Sequence, residues 1–270
     1  MRFVFAFIAL TFSCCSILAS AQSSSALVEN EFYTSPDGTN IYYETIGHGK
    51  TVVLIHGFAV NGSSWKKTAL YNDLIFAGYQ VVIMDLRGNG RSDKPHKASF
   101  YENDIEAKDV MGILDTLGVK KYSVVGYSRG SIITSRLLVL DRRITRAVIG
   151  GMGLDFTNPD WPRRIMFYDA LSGKPVKELE SFIKFVQDSG LDQKALAFLQ
   201  KSQPSTSAQE LAEIKQPVLV ISGTEDNDNG SAKELAALIP KSTYADVPGN
   251  HGSTAATPEF SASVTKFLKH

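Results

Sequence analysis

The chain has 270 residues and only two cysteines, Cys14 and Cys15, both within its first 21 residues. Without those residues no thiol remains, which excludes disulfides, thiol nucleophiles, thiolate metal sites and iron–sulfur clusters. Charge of one sign is also missing. Lys and Arg number 28, Asp and Glu number 28, and no run of like charge forms a tail. A nucleic-acid surface needs an excess of cations to neutralise phosphate, so that class drops out. No His-x-x-x-His pair or carboxylate cluster marks a metal site, and no cofactor is expected. Repeats and low-complexity tracts are absent, and only the N-terminal apolar run approaches the length of a membrane span. With 43% apolar residues, the composition suits a globular protein with a large core.

The first residues stand apart. Arg2 precedes an apolar run from Phe3 to Ala19, and small residues follow in Ala19-Ser20-Ala21. This pattern predicts a secretory signal, residues 1–21, cleaved after Ala21, and hence a secreted or periplasmic protein. The alternative is an uncleaved membrane anchor. Cleavage removes Arg2 as the only charge, leaving 27 positive and 28 negative side chains.

Beyond residue 21, strands and helices alternate. Residues near 28–46 read as an antiparallel hairpin around the Pro36-Asp37-Gly38 turn. Thr51–Ile55, Tyr79–Met84, Tyr122–Val125, Ala147–Ile149 and Pro217–Ile221 are short runs rich in β-branched residues, as in strands buried on both faces. Helical patterns cover roughly 64–77, 102–117, 129–140, 231–239 and 256–269. The alternation predicts a doubly wound α/β domain with a mostly parallel sheet and ligands at the carboxyl ends of the strands. Residues 154–212 interrupt it. They hold helical patterns at Val176–Gln187 and Leu191–Gln200, punctuated by prolines, and no strand. The core is therefore divided into residues 22–153 and 213–270.

Chemistry concentrates at the strand ends. Gly126-Tyr127-Ser128-Arg129-Gly130 leaves a strand and opens a helix. A serine at such a turn, with glycine two residues either side, is a nucleophile elbow, and the helix behind it aims free N–H groups at the reacting atoms. A serine hydroxyl is a weak nucleophile and needs a base. Of five histidines, His270 is terminal, His48 and His96 lie in loops, and His56 is better placed to brace its own turn. His251 remains, in the Gly249-Asn250-His251-Gly252 loop before the last helix. Asp226, just past a strand end, is the candidate to orient its imidazole. Glu225, Asp228 and Asp155 are the rival acids. The backbone N–H groups of Phe58 and Arg129 are the expected oxyanion donors.

Four segments in this order resemble the α/β-hydrolase superfamily: His56–Trp65, Asp85–Asp93, Gly126–Gly130, and Gly223–Asp226 with Gly249–His251. The resemblance runs from about residue 30 onward and implies a Ser-His-Asp triad. It also implies that residues 154–212 form a helical cap inserted after strand 6. Among relatives the chain is most similar to small esterases, lactonases and non-haem haloperoxidases. Dehalogenases and epoxide hydrolases of this fold use an Asp nucleophile, whereas position 128 is Ser. Ser131 departs from the glycine found there in many relatives, and Glu225 adds a charge beside the acid.

The expected function is cleavage of an ester or lactone of a small molecule through an acyl-enzyme, with water as second reactant. A perhydrolase, a carbon–carbon bond hydrolase, or a non-catalytic binding module on the same scaffold are the alternatives. Two motifs are set aside. Gly47–Thr51 ends like a phosphate loop but leads into a strand, and Asp85–Asp93 fails the dinucleotide pattern at Asp93. Arg87 and Asp93 are expected to be structural ions. Trp161, Phe167, Tyr168, Phe182 and Phe185 are expected to pack the cap, with Arg163 and Arg164 facing an acidic substrate or water.

Overall fold

A computed structural model describes residues 28–269; the expected signal with Cys14 and Cys15, and His270, lie outside these residues. The strands are β1 (Glu29–Thr34), β2 (Asn40–Ile46), β3 (Thr51–Ile55), β4 (Gln80–Met84), β5 (Tyr122–Tyr127), β6 (Ile144–Gly150), β7 (Val218–Gly223) and β8 (Ser242–Val247). They form one sheet in the order β1-β2-β4-β3-β5-β6-β7-β8. β1 and β2 are antiparallel to each other, and β2 is antiparallel to β4; every other neighbouring pair is parallel.

Helices α1 (Ala69–Phe76) and α9 (Pro258–Lys269) cover one face, and α2 (Ile105–Thr116), α3 (Arg129–Leu140) and α8 (Ala232–Leu238) cover the other. Side chains alternate between these layers, as the strand period requires. Val53 and Ile55 of β3 join the core with Ile132 and Leu235, while Val52 and Leu54 join Leu70 and Phe260. Continuous apolar strands are thus consumed on both faces.

Several boundaries differ from the sequence reading. The 64–77 helix is split into a 3₁₀ turn, Gly62–Lys67, and α1, because Thr68 stops the first and accepts the Tyr71 N–H to start the second. α2 begins at Ile105 because Asn103 and Asp104 take φ of 60° and 57°, left-handed values that cannot continue a right-handed helix. β8 has no counterpart among the β-branched runs of the sequence. It is a polar, half-exposed edge strand and lacks the apolar run of its neighbours.

Four helices lie between β6 and β7: α4 (Pro162–Leu171), α5 (Glu180–Asp188), α6 (Gln193–Lys201) and α7 (Ala208–Ala212). Leu171, Val186, Leu196 and Leu199 from this segment form a small core with Ala59 and Tyr101. Arg87 is fully buried, bound to Asp109 at 2.6 and 2.8 Å and to Asp37 at 2.8 Å. Asp93 is not an ion partner among the described residues. Its carboxylate accepts the Asn40 N–H at 2.7 Å and clamps the turn after β4 to β2.

Candidate active site

Ser128 sits where β5 turns into α3, with φ 54° and ψ −124°. A non-glycine residue adopts such angles only where its surroundings impose them. Here the imposing contacts are visible. A Cβ on Gly126 would lie 2.3 Å from the Gly130 carbonyl oxygen, and one on Gly130 would lie 2.2 Å from that of Ile55. Only glycines let β5, α3 and β3 approach this closely. Ser131 strengthens the same junction. Its buried hydroxyl lies 3.0 Å from the Gly126 carbonyl and 2.8 Å from that of Gly150, and it accepts the Gly150 N–H at 2.9 Å. Ser131 at the start of α3 therefore clips β5 to β6.

His251 reaches this turn from the loop after β8. Its Nε2 lies 2.9 Å from the Ser128 hydroxyl, and its Nδ1 lies 3.0 Å from a carboxylate oxygen of Asp226. The loop is shaped by Gly249 at φ 116°, and the Tyr127 phenol donates to the His251 carbonyl at 2.8 Å. The Asp226 side chain is 3% exposed and that of His251 is 26% exposed. A shielded carboxylate thus faces an imidazole whose far nitrogen meets the serine.

The rival acids lie elsewhere. Glu225 is exposed, Asp228 pairs with Arg163 at 3.2 Å, and Asp155 is exposed beside Gly230. The other histidines also have separate placements. His96 pairs with Asp192 at 2.8 Å and His48 is exposed. His56 is buried, with Nδ1 2.7 Å from the Gly57 carbonyl and Nε2 accepting the Leu86 N–H at 2.9 Å. That pattern requires a neutral ring protonated at Nδ1. Burial also pushes its pKa down. It braces the loop after β3.

Two backbone N–H groups near the serine have no partner among the described residues: neither the Phe58 N–H nor the Arg129 N–H donates to a protein acceptor. A Cβ on Gly57 would lie 3.3 Å from the Ser128 Cβ, which puts the Phe58 segment directly against the nucleophile. The Phe58 ring packs 6.0 Å from both Phe167 and Phe182 of the cap helices. The Arg129 side chain is drawn away into a buried pair with Glu106, leaving its backbone at the helix start.

Asn229 escaped the sequence reading. It is buried, its Nδ2 donates to the Gly151 carbonyl at 3.1 Å, and the same nitrogen lies 3.4 Å from His251 Nδ1. A lone Asn in a polar loop carries no signal that distinguishes it from an Asx-turn residue. Two cavities, of about 200 and about 340 Å³, meet at Phe58, Ser128 and His251. One lies under α4–α6; the other lies between the His56 loop and residues 252–256.

Residues 50–171 match the alpha/beta hydrolase fold family. The chain is 36% identical over 97 residues to epoxide hydrolase 3 of Siraitia grosvenorii, covering 36% of this chain and 30% of that one. It is 29% identical over 266 residues to 2-hydroxy-6-oxononadienedioate/2-hydroxy-6-oxononatrienedioate hydrolase 2 of Pseudomonas putida, covering 85% and 92%. The crystal structure of bromoperoxidase from Bacillus anthracis superposes with a TM-score of 0.72 at 27% identity, over 90% of this chain and 100% of that one. Of the first curated relatives it matches, the chain spans only 30–39% of their length. Sheet order and the family match agree, and the chain has the α/β-hydrolase fold.

Proposed function

We propose that this protein is a serine hydrolase that cleaves an ester or lactone of a small molecule. The contact chain from Ser128 Oγ to His251 Nε2 to Asp226 carries the reading, at 2.9 and 3.0 Å. With Nδ1–H donated to Asp226, Nε2 holds a lone pair toward the serine hydroxyl. Ser128 attacks the acyl carbonyl while His251 takes its proton. The resulting tetrahedral oxyanion is held by the Phe58 and Arg129 N–H groups. His251 then donates the proton to the leaving alkoxide, and the alcohol departs. Water attacks the acyl-enzyme with His251 as base, and Ser128 is regenerated as the acid leaves.

The matching hydrolase of Pseudomonas putida favours a second reading, carbon–carbon bond hydrolysis on the same triad, since this chain spans 92% of that relative. Turnover of ethyl and p-nitrophenyl esters, lactones and a vinylogous β-diketone separates the two. Under the ester reading, Ser128→Ala lowers ester kcat by at least about a thousandfold with circular dichroism unchanged. Wild-type turnover in that variant removes Ser128 as nucleophile. The expected secretion is tested by N-terminal sequencing of protein exported from the full-length chain, with Gln22 as the predicted first residue.

A further inference from the structure

The cavity under α4–α6 has an apolar wall that includes Ile132, Met152, Trp161 and Phe167, with Ser128 and His251 also lining it. Three arginines, Arg129, Arg163 and Arg164, join this lining, and no Asp or Glu does. Their charges are not equally compensated. Arg129 is buried and held by both carboxylate oxygens of Glu106. Arg164 has no carboxylate partner among the described residues. It donates to the carbonyls of Pro159 at 2.7 Å, Gln200 at 2.9 Å and Lys201 at 3.1 Å, strapping the start of α4 to the end of α6.

Arg163 is the less occupied of the two. Among the described residues its side chain makes one hydrogen bond, an ion pair with Asp228 at 3.2 Å, and the two side chains are 36% and 48% exposed. Its guanidinium also lies 5.3 Å from the Phe167 ring centroid, against the cavity wall. Most of its donors therefore have no protein acceptor. A half-exposed pair of this kind is weak, so an incoming carboxylate competes readily with Asp228.

The local electrostatics add to this surplus. Arg163 and Arg164 occupy the first turn of α4, which has no acidic residue and no side-chain cap. Cations at that end oppose the helix dipole, so their placement there is unfavourable for the helix alone. In a cleft lined by charge of one sign, that charge attracts an anion more strongly than on a flat open surface.

We infer that the substrate carries a second, ionised carboxylate, bound under α4 by Arg163 in the field of Arg164. This rests on the hydrolase reading above and narrows its substrate class to acidic esters or lactones. A planar guanidinium with free parallel N–H groups suits a carboxylate better than a neutral carbonyl.

Matched esters test it. Monoethyl adipate against ethyl hexanoate places the carboxylate on the acyl side, and 5-acetoxypentanoate against pentyl acetate places it on the alcohol side. In at least one pair, kcat/KM is expected to favour the acid by about tenfold or more at low salt, with the advantage shrinking as ionic strength rises. Arg163→Gln should collapse the ratio, and Arg163→Lys should retain much of it. Calorimetry on Ser128→Ala with the same two acids reads binding without turnover. Ratios at or below one in both pairs overturn the inference, as does an Arg163→Gln variant that slows acid and neutral esters alike. Ser128-dependent cleavage with no acid preference leaves the hydrolase reading standing and this inference refuted. Acid binding to Ser128→Ala that Arg163→Gln abolishes, with no ester turned over by wild type, keeps the carboxylate site and refutes the ester reading.

Discussion

Asp226 holds the His251 imidazole from a position almost closed to water, and this decides which ring nitrogen faces Ser128. Replacing it by Asn removes the charge and favours the wrong tautomer. Asp226→Asn should lower kcat by about 10³–10⁴ with little change in melting temperature. Retention of more than a tenth of the wild-type rate would assign the orienting role to another acid. His56 makes a different prediction, about stability. Burial depresses its pKa in the fold, so below about pH 6.5 the unfolded chain takes up a proton that the native ring refuses. Stability present above that pH is therefore lost as pH falls through it. Melting curves between pH 7.5 and 5.5 should fall more steeply for wild type than for His56→Gln, and equal slopes would contradict the assignment. At this scale the sequence was most legible where chemistry demands rare combinations. Ser128 between two glycines, and His251 in a glycine-flanked loop, follow from such demands. Asn229 does not, because its position depends on a hydrogen bond to Gly151 that only the folded chain brings near.

Between elements, the elbow depends on how closely β5, α3 and β3 approach. Gly126→Ala or Gly130→Ala places a methyl within 2.3 Å of a backbone oxygen or closer, where no rotamer can relieve the clash. Each should cost about 2–3 kcal/mol or prevent folding, measured by urea denaturation. The buried Arg129–Glu106 pair joins α3 to α2, with a further contact at 3.4 Å to the Leu199 carbonyl of α6. Glu106→Gln leaves a buried guanidinium without its counter-charge and should destabilise by about 3–5 kcal/mol. A loss below 1 kcal/mol would mean that water reaches the pair. The buried strands were readable from β-branched runs because both of their faces are apolar. β8 was not, since an edge strand with one exposed face needs no such run. The split at Thr68 and the late start of α2 were also hidden. A cap geometry and two left-handed residues set these boundaries, and hydrophobic period does not report either.

For the whole molecule, the α4–α7 segment and the eight-stranded sheet meet around Phe58, which lines the cavity with Ser128 while its ring packs on Phe167 and Phe182. The architecture followed from the alternation of strand and helix, and the insertion from its interruption at residues 154–212. Which aromatic residues line the cavity could not be read from the sequence, since helical spacing alone does not separate packing from lining. Phe167 and Phe182 do both, while Phe185 is half-exposed beside Phe182. Phe182→Ala enlarges the cavity under the cap and loosens the Phe58 ring. The chain length of best turnover among acyl esters should move upward by about two carbons or more, with lower kcat on short esters. An unchanged profile would place the acyl chain in the other cavity, beside residues 252–256.

The most direct test of the central claim is active-site labelling with a fluorophosphonate followed by peptide mass spectrometry. A serine activated by His251 and Asp226 should give one stoichiometric adduct on the peptide containing Ser128, abolished by Ser128→Ala and strongly slowed by His251→Ala. An adduct on any other residue, or an active enzyme that the reagent leaves unlabelled, would contradict it.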